Sequence, residues 1–505
     1  MQHDQASRRE FLRRAAILSG SVAPAGLPFA LNLATMNAAV AQTAPTYKAI
    51  VCLFLYGGND SANMVLPTDT ASWNAYTTTR STAPDPIALL APGTPANAGA
   101  ARASPAALGG VLGLTPNFNA FAVNNNRSFA LHPSMTEMAA LFNTANPGSV
   151  NSRLAVIANA GPLVQPMTKL EYQVNAASKP RPAKLFSHND QQSTWQALGP
   201  EGVRVGWGGR FGDLMAGSNT NTVFTSISVG GNAVFMAGQN IFQYQVGNGG
   251  ATAVGGITGS LFGSTAAATA YRNIITANGN PNNVSHLLGR EQTNVTKRSI
   301  DAQASFQQAF DGTTSIAAPT QYVPPSTGTP AANGLAAQLQ TVARIIAARG
   351  GLGAERQVFF VSMGGFDTHD NQNRAQADLM ARLSHAISYF DTTLGTLGLR
   401  DNVALFTASD FGRTFTSNGD GTDHGWGAHH FVYGGKVNGK EIYGRFPQVG
   451  VNHSDEVGSG SFLPGVSVDQ IGATLGKWFG VSDSNLNMVF PNLQNFQRDL
   501  GFMRT

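Results

Sequence analysis

Four short, unbroken apolar runs set the strongest limit on what this chain can fold into. They are Lys48 to Tyr56 (KAIVCLFLY), Arg153 to Asn159 (RLAVIAN), Gln357 to Ser362 (QVFFVS) and Asn402 to Thr407 (NVALFT). None shows the apolar-polar alternation of a strand with one face in water. Such a run, bounded by turn-forming residues, predicts a strand covered on both faces of a parallel sheet. Helical periodicity lies between and after them, over Ala336 to Ala348, Ala375 to Leu397 and Val468 to Phe479. Buried strands alternating with amphipathic helices predict an α/β fold, a mostly parallel sheet flanked by helices. Residues 82–116 and 245–285 are rich in small and turn-forming residues, and 312–335 read as a linker. Residues 210–335 are therefore expected to be an insertion or cap on the core.

Composition narrows the partners. Only 12% of the 505 residues are charged and the formal net charge is +4, with no basic stripe beyond the N-terminus, so nucleic acid is not an expected partner. The single cysteine, Cys52, excludes an internal disulfide and any cysteine-based zinc cluster. It sits inside the first apolar run and reads as a small core residue.

The N-terminus carries Ser7-Arg8-Arg9-Glu10-Phe11-Leu12, a moderately apolar stretch from Ala15 to Leu33, and Ala39-Val40-Ala41. Paired arginines, an apolar region and an Ala-x-Ala site predict a cleavable signal over residues 1–41. Pro24, Pro28, Asn32 and Asn37 interrupt the apolar stretch, which falls short of the ~20 clean residues a membrane span needs. No stable membrane span is expected there or later. The pattern is similar to the bacterial twin-arginine signal, which implies that the export machinery for folded proteins is a partner. The mature chain, with its domain over 48–505, is then expected in the periplasm or outside the cell.

Ligands of open α/β sheets bind at the carboxyl ends of the strands. Asn59, Asp60, Ser61 and Asn63 follow the first run. Gly364-Gly365-Phe366-Asp367-Thr368-His369-Asp370 follows the third. Ser409-Asp410-Phe411-Gly412-Arg413-Thr414 follows the fourth, and a glycine-rich loop then brings Asp423-His424-Gly425-Trp426 ahead of His429 and His430. A parallel sheet gathers these groups at one rim, and clustered carboxylates and imidazoles are the donors a divalent metal takes. Zinc, manganese, iron and calcium all remain compatible with mixed Asp/His ligation.

The segments YGGNDSANMVLP, GGFDTHDNQ, SDFGRT and GTDHGWGAHH occur in that order. With the N-terminal signal they resemble an exported bacterial family known as domain-of-unknown-function family 1501, over essentially the whole mature chain. That family is in turn similar to the alkaline phosphatase and sulfatase superfamily. The resemblance implies an alkaline phosphatase/sulfatase-like core with metal ligands at the strand ends, acting on a small anionic substrate, a phosphate or sulfate ester. Carried over residue by residue, it implies a metal held by Asp60, Asp367, His369, Asp410 and His424, with His188 and Arg413 near the scissile group. Phe411 stands where the superfamily has a histidine, and Asp367 and His369 are closer together than its Asp-x-x-x-His pair. In LFSHNDQQSTWQALGP Ser187, His188 or Asn189 falls near the nucleophile's place, and none is an obvious nucleophile in register. A metal-activated water removes the need for one.

Each of these residues also has a local reading. Asp60, Asn59 and Asn63 suit a turn, and Asp367 with His369 can form an Asx-turn beside a surface histidine. Ser187 to Asp190 reads as an S-x-x-D capping box, with His188 at the electropositive helix start. Arg413 suits either an oxyanion clamp or an ion pair with a nearby aspartate. The rival to an enzyme is a non-catalytic exported scaffold that binds a secreted partner.

Overall fold

The computed structural model describes residues 47–82 and 84–504; the expected signal over 1–41 lies outside them. Twelve strands form two sheets. The small one joins β2 (Val65–Pro67), β3 (Leu112–Leu114) and β4 (Phe129–Leu131). The large one contains β1 (Lys48–Leu55), β5 (Leu154–Gly161), β6 (Ser226–Ser228), β7 (Tyr244–Gln245), β8 (Arg356–Met363), β9 (Val403–Ser409), β10 (Ala428–Gly434), β11 (Ile442–Tyr443) and β12 (Val466–Ser467). Its order is β11-β5-β10-β9-β1-β8-β6-β7, with β12 also on β5. All pairings are parallel except those of β10, which runs antiparallel to both β5 and β9. This is the expected α/β class, with one reversed strand inserted.

The apolar runs are strands because both sheet faces are covered. On one face α1 (Thr136–Asn143), α5 (Gly334–Ala347) and α6 (Gln372–Thr396) close over Val51, Leu53, Phe359 and Val361. On the other lie α2 (His188–Ala197), α3 (Trp207–Met215) and α7 (Val468–Phe479), with Trp207 against Phe406 and Phe211 against Phe479. Alternation along β1 divides Ala49, Val51, Leu53 and Leu55 from Ile50, Cys52 and Phe54, and every one is buried. Cys52 is a core residue. Residues 210–335 are not a separate layer. They supply β6, which pairs with β8, and the edge strand β7, and Phe306 and Phe310 of α4 (Leu287–Asp311) join the main core. Among the described residues no helix is long and apolar enough to cross a membrane.

Register sets up the rim. Leu55 stands opposite both Met363 of β8 and Ser409 of β9, so three parallel strands end level. Because β10 is reversed, it begins at that same edge. The loops 56–60, 364–370 and 410–427 therefore leave or enter the sheet side by side.

Candidate metal centre

Two loops and one helix start bring a carboxylate and three imidazoles together. Asp367 follows β8, His424 precedes β10, His369 lies two residues beyond Asp367, and His188 opens α2. Nε2 of His369 is 3.1 Å from Oδ1 of Asp367 and 3.1 Å from Nε2 of His424. Nε2 of His424 is 3.4 Å from Asp367 Oδ1, and Nε2 of His188 is 3.4 Å from Asp367 Oδ2. Donor atoms of His188, Asp367 and His424 all lie within 4.8 Å of one another.

The far nitrogens of the rings are each engaged by an acceptor. Nδ1 of His188 bonds Oδ2 of Asp410 at 2.6 Å, that of His369 bonds Oδ1 of Asp423 at 3.2 Å, and that of His424 bonds the carbonyl of Phe186 at 2.8 Å. A carbonyl or carboxylate oxygen offers only lone pairs, so each Nδ1 carries a hydrogen, and a ring holding no second proton turns a bare Nε2 inward. Burial, with His188 and Arg413 nearby, lowers the pKa of His424 and favours its neutral ring. The hydrogen bond to Asp410 raises that of His188. At Asp367 burial works against ionisation, but the Arg413 hydrogen bond and charge, helped by His188 and His369, hold the carboxyl below its ordinary range.

The donor set fits a cation. Bonds of about 2.0–2.1 Å to zinc put neighbouring tetrahedral donors about 3.3 Å apart. Asp367 to each ring, and His369 to His424, are 3.1–3.4 Å apart, while the donors of His188, Asp367 and His424 as a set lie within 4.8 Å of one another. The Nε2 atoms of His369 and His424 face each other at 3.1 Å, a contact that needs a proton or a cation between the two lone pairs.

Local packing holds the rings. Ser187 is the N-cap of α2, but its hydroxyl donates to Oδ2 of Asp190 at 2.8 Å instead of accepting a helix N–H, so the expected capping box is replaced by a side-chain pair. Trp195 on α2 lies edge-on to His430 at 4.7 Å, which docks the helix on β10. Phe411 is buried, with its ring centroid 4.9 Å from that of His188 and 4.5 Å from that of His424. A side chain stands there in place of a ligand. It is accommodated because Gly58 has φ +81° and a Cβ there would lie 2.3 Å from the Phe411 ring.

The structure places four of the expected residues as follows. Asp60 is not among the converging donors: its carboxylate is fully buried and grips Arg80 at 2.6 and 3.0 Å while accepting from Gln372 and the Ala62 amide. Arg80, on a helix 20 residues on, claims it. Asp410 accepts from His188, Gln192 and the Gly57 amide, so its carboxylate holds the His188 ring and lies behind the converging donors. Arg413 is engaged within the protein. Its buried guanidinium donates to Asp367 at 2.5 Å, to the carbonyls of Gly57 and Thr422 and to the Thr422 hydroxyl. His188, expected near the scissile group, stands among the donors themselves. His429 and His430 are buried in β10, away from the cluster.

A family model described as a protein of unknown function (DUF1501) matches residues 47–494. The chain belongs to that family. No curated protein matches it. Among solved structures, the chain is similar to a Bacteroides thetaiotaomicron protein of glycosaminoglycan metabolism, BT33494S-sulf, at 10% identity and TM-score 0.32, covering 87% of this chain and 74% of that one. It is also similar to Ps i-CgsB in complex with k-i-k-neocarrahexaose, at 8% identity and TM-score 0.32, covering 90% of this chain and 77% of that one.

Proposed function

We propose that this DUF1501 protein is an exported, divalent-metal-dependent hydrolase of phosphate or sulfate esters, with His188, Asp367, His369 and His424 as its metal ligands. One observation carries the reading: three imidazoles turn Nε2 toward one carboxylate while every Nδ1 is tied to an acceptor. Outer hydrogen bonds of this kind fix the tautomer and strengthen a histidine as a ligand. Three imidazoles to one carboxylate suit zinc or iron better than calcium, which prefers oxygen. Such a cation supplies Lewis acidity toward an ester oxygen and makes water a competent nucleophile near neutral pH.

The remaining tasks fall to the chain. Asp410, Asp423 and the Phe186 carbonyl aim the rings, and Arg413 holds Asp367 ionised. Beside His188 opens a cavity of about 260 Å³ lined by Tyr56, Asn189, Gln192, Gln196 and Glu201 among others. Amide and hydroxyl side chains there suit the uncharged remainder of an ester. Tyr56 is pushed up to about 12, chiefly by burial, so its hydroxyl stays a donor at working pH. The ester class rests on the likeness of the strand-end motifs to those of phosphatases and sulfatases.

The test is metal analysis of protein purified after export, with 4-nitrophenyl phosphate, bis-phosphate and sulfate as substrates. The expected result is stoichiometric metal and hydrolysis that chelation abolishes. Bound metal without turnover of any ester leaves the secreted scaffold; no metal after supplementation with zinc, iron or manganese rejects the centre.

A further inference from the structure

We propose that Gln372 is a positioning residue that sets the spacing of the ligand loops, joining the 366–369 loop to the 420–424 loop through a single side-chain carbonyl. The proposal rests on the metal reading above. Asp367, His369 and His424 lie on those loops, outside any helix or strand. The sheet aligns the roots of the loops, but it does not fix their tips to a few tenths of an ångström.

Gln372 is the first residue of α6 and is fully buried. Its Oε1 accepts from the hydroxyl of Thr368 at 3.2 Å and from that of Thr422 at 2.7 Å. Thr368 sits between Asp367 and His369. Thr422 immediately precedes Asp423, which orients His369, and His424. Both threonines are buried, and the Thr422 amide also donates to the Thr368 carbonyl at 3.1 Å. The loops touch so closely that a Cβ on Gly421 would lie 2.3 Å from the His369 carbonyl carbon.

The other end of Gln372 is anchored. Its Nε2 donates to Asp60 at 2.5 Å, its backbone amide donates to the Asp420 carbonyl at 3.0 Å, and Asp60 is locked by the Arg80 guanidinium. A filler would need only shape, whereas this residue uses acceptor and donor at once. The same chain of bonds gives Asp60 a purpose in the site without making it a ligand.

The test uses the purified full chain and isosteric changes at the threonines, since removing Gln372 itself would leave Asp60 short of a buried partner. Zinc affinity, read by competition with a chelator, should fall about 10- to 100-fold in Thr422→Val and in Thr368→Val. The double variant should lose less than the product of the two, because both hydroxyls act through one acceptor. Thr422→Ser should restore wild-type affinity. Unchanged affinity in both valine variants, or a serine variant as weak as the valine one, overturns the proposal. Ring ¹⁵N shifts of His369 and His424 in the metal-free protein give a second readout. Both rings should be Nδ1-protonated in the wild type and mixed in Thr422→Val. If the wild type takes no metal but its rings respond in this way, the metal reading fails and the positioning role stands. Rings indifferent to both threonine changes reject the positioning role.

Discussion

Asp410 illustrates how a single carboxylate changes meaning with its neighbours. At the end of β9 it has the look of a ligand, yet His188, Gln192 and the Gly57 amide already occupy it. Asp410→Asn should therefore leave the fold intact but weaken metal binding about 10- to 100-fold, because the amide can present its N–H₂ to His188 and disturb the tautomer. Chelator competition and circular dichroism on the same sample check both halves. His424→Ala, which removes a donor outright, should empty the site or weaken it further still. Gly58 is a different kind of constraint. Gly58→Ala forces a methyl against Phe411 at a positive φ and should cost about 2 kcal/mol or more. Thermal unfolding should show a clear loss, and the accompanying change in zinc affinity would report how firmly Phe411 holds the two rings.

Strand β10 concentrates a second effect, that of buried histidines. His429 and His430 on this strand, and His132 before α1, are each pushed down to about 3 by burial. In the unfolded chain they titrate near 6.5, so between about 3 and 6.5 the unfolded state binds more protons. Stability is fully present above that window and falls as pH drops through it. Each proton contributes a slope of about 1.4 kcal/mol per pH unit, so the three together reach about 4 kcal/mol per unit near pH 4.5. Denaturant titrations between pH 7 and 4 measure the slope, and His430→Phe should flatten it by about a third. Elements of this kind also mark how far the sequence could be read. Strands β1, β5, β8 and β9 announce themselves through unbroken apolar runs, and Asp367, His369 and His424 through their place at strand ends. The pairing of Asp60 with Arg80 and the reach of His188 to Asp410 across 222 positions are tertiary facts with no local signature. Phe411 and Gly58 could have been linked only by knowing that their strands are neighbours.

At the scale of the whole molecule, two expectations are open to direct measurement. Arg8→Lys with Arg9→Lys should strand the chain in the cytoplasm with residues 1–41 attached, seen by fractionation and the mass of the product; normal export of the double variant removes the twin-arginine assignment. A chelator should lower the unfolding temperature, since a cation at 100 times its dissociation constant adds about 2.7 kcal/mol to the folded state. The reversed strand β10 has a further consequence, for the order of events in biosynthesis. Because β10 follows the four long strands in the chain and enters backwards, His424 reaches the rim only after β1, β5, β8 and β9 have all been translated. A ribosome-bound fragment lacking it offers an ion three donors at most and has no neighbour for His369 to face. Under the proposed metal reading, ion capture is a late checkpoint, reporting that the four long parallel strands have been made and assembled.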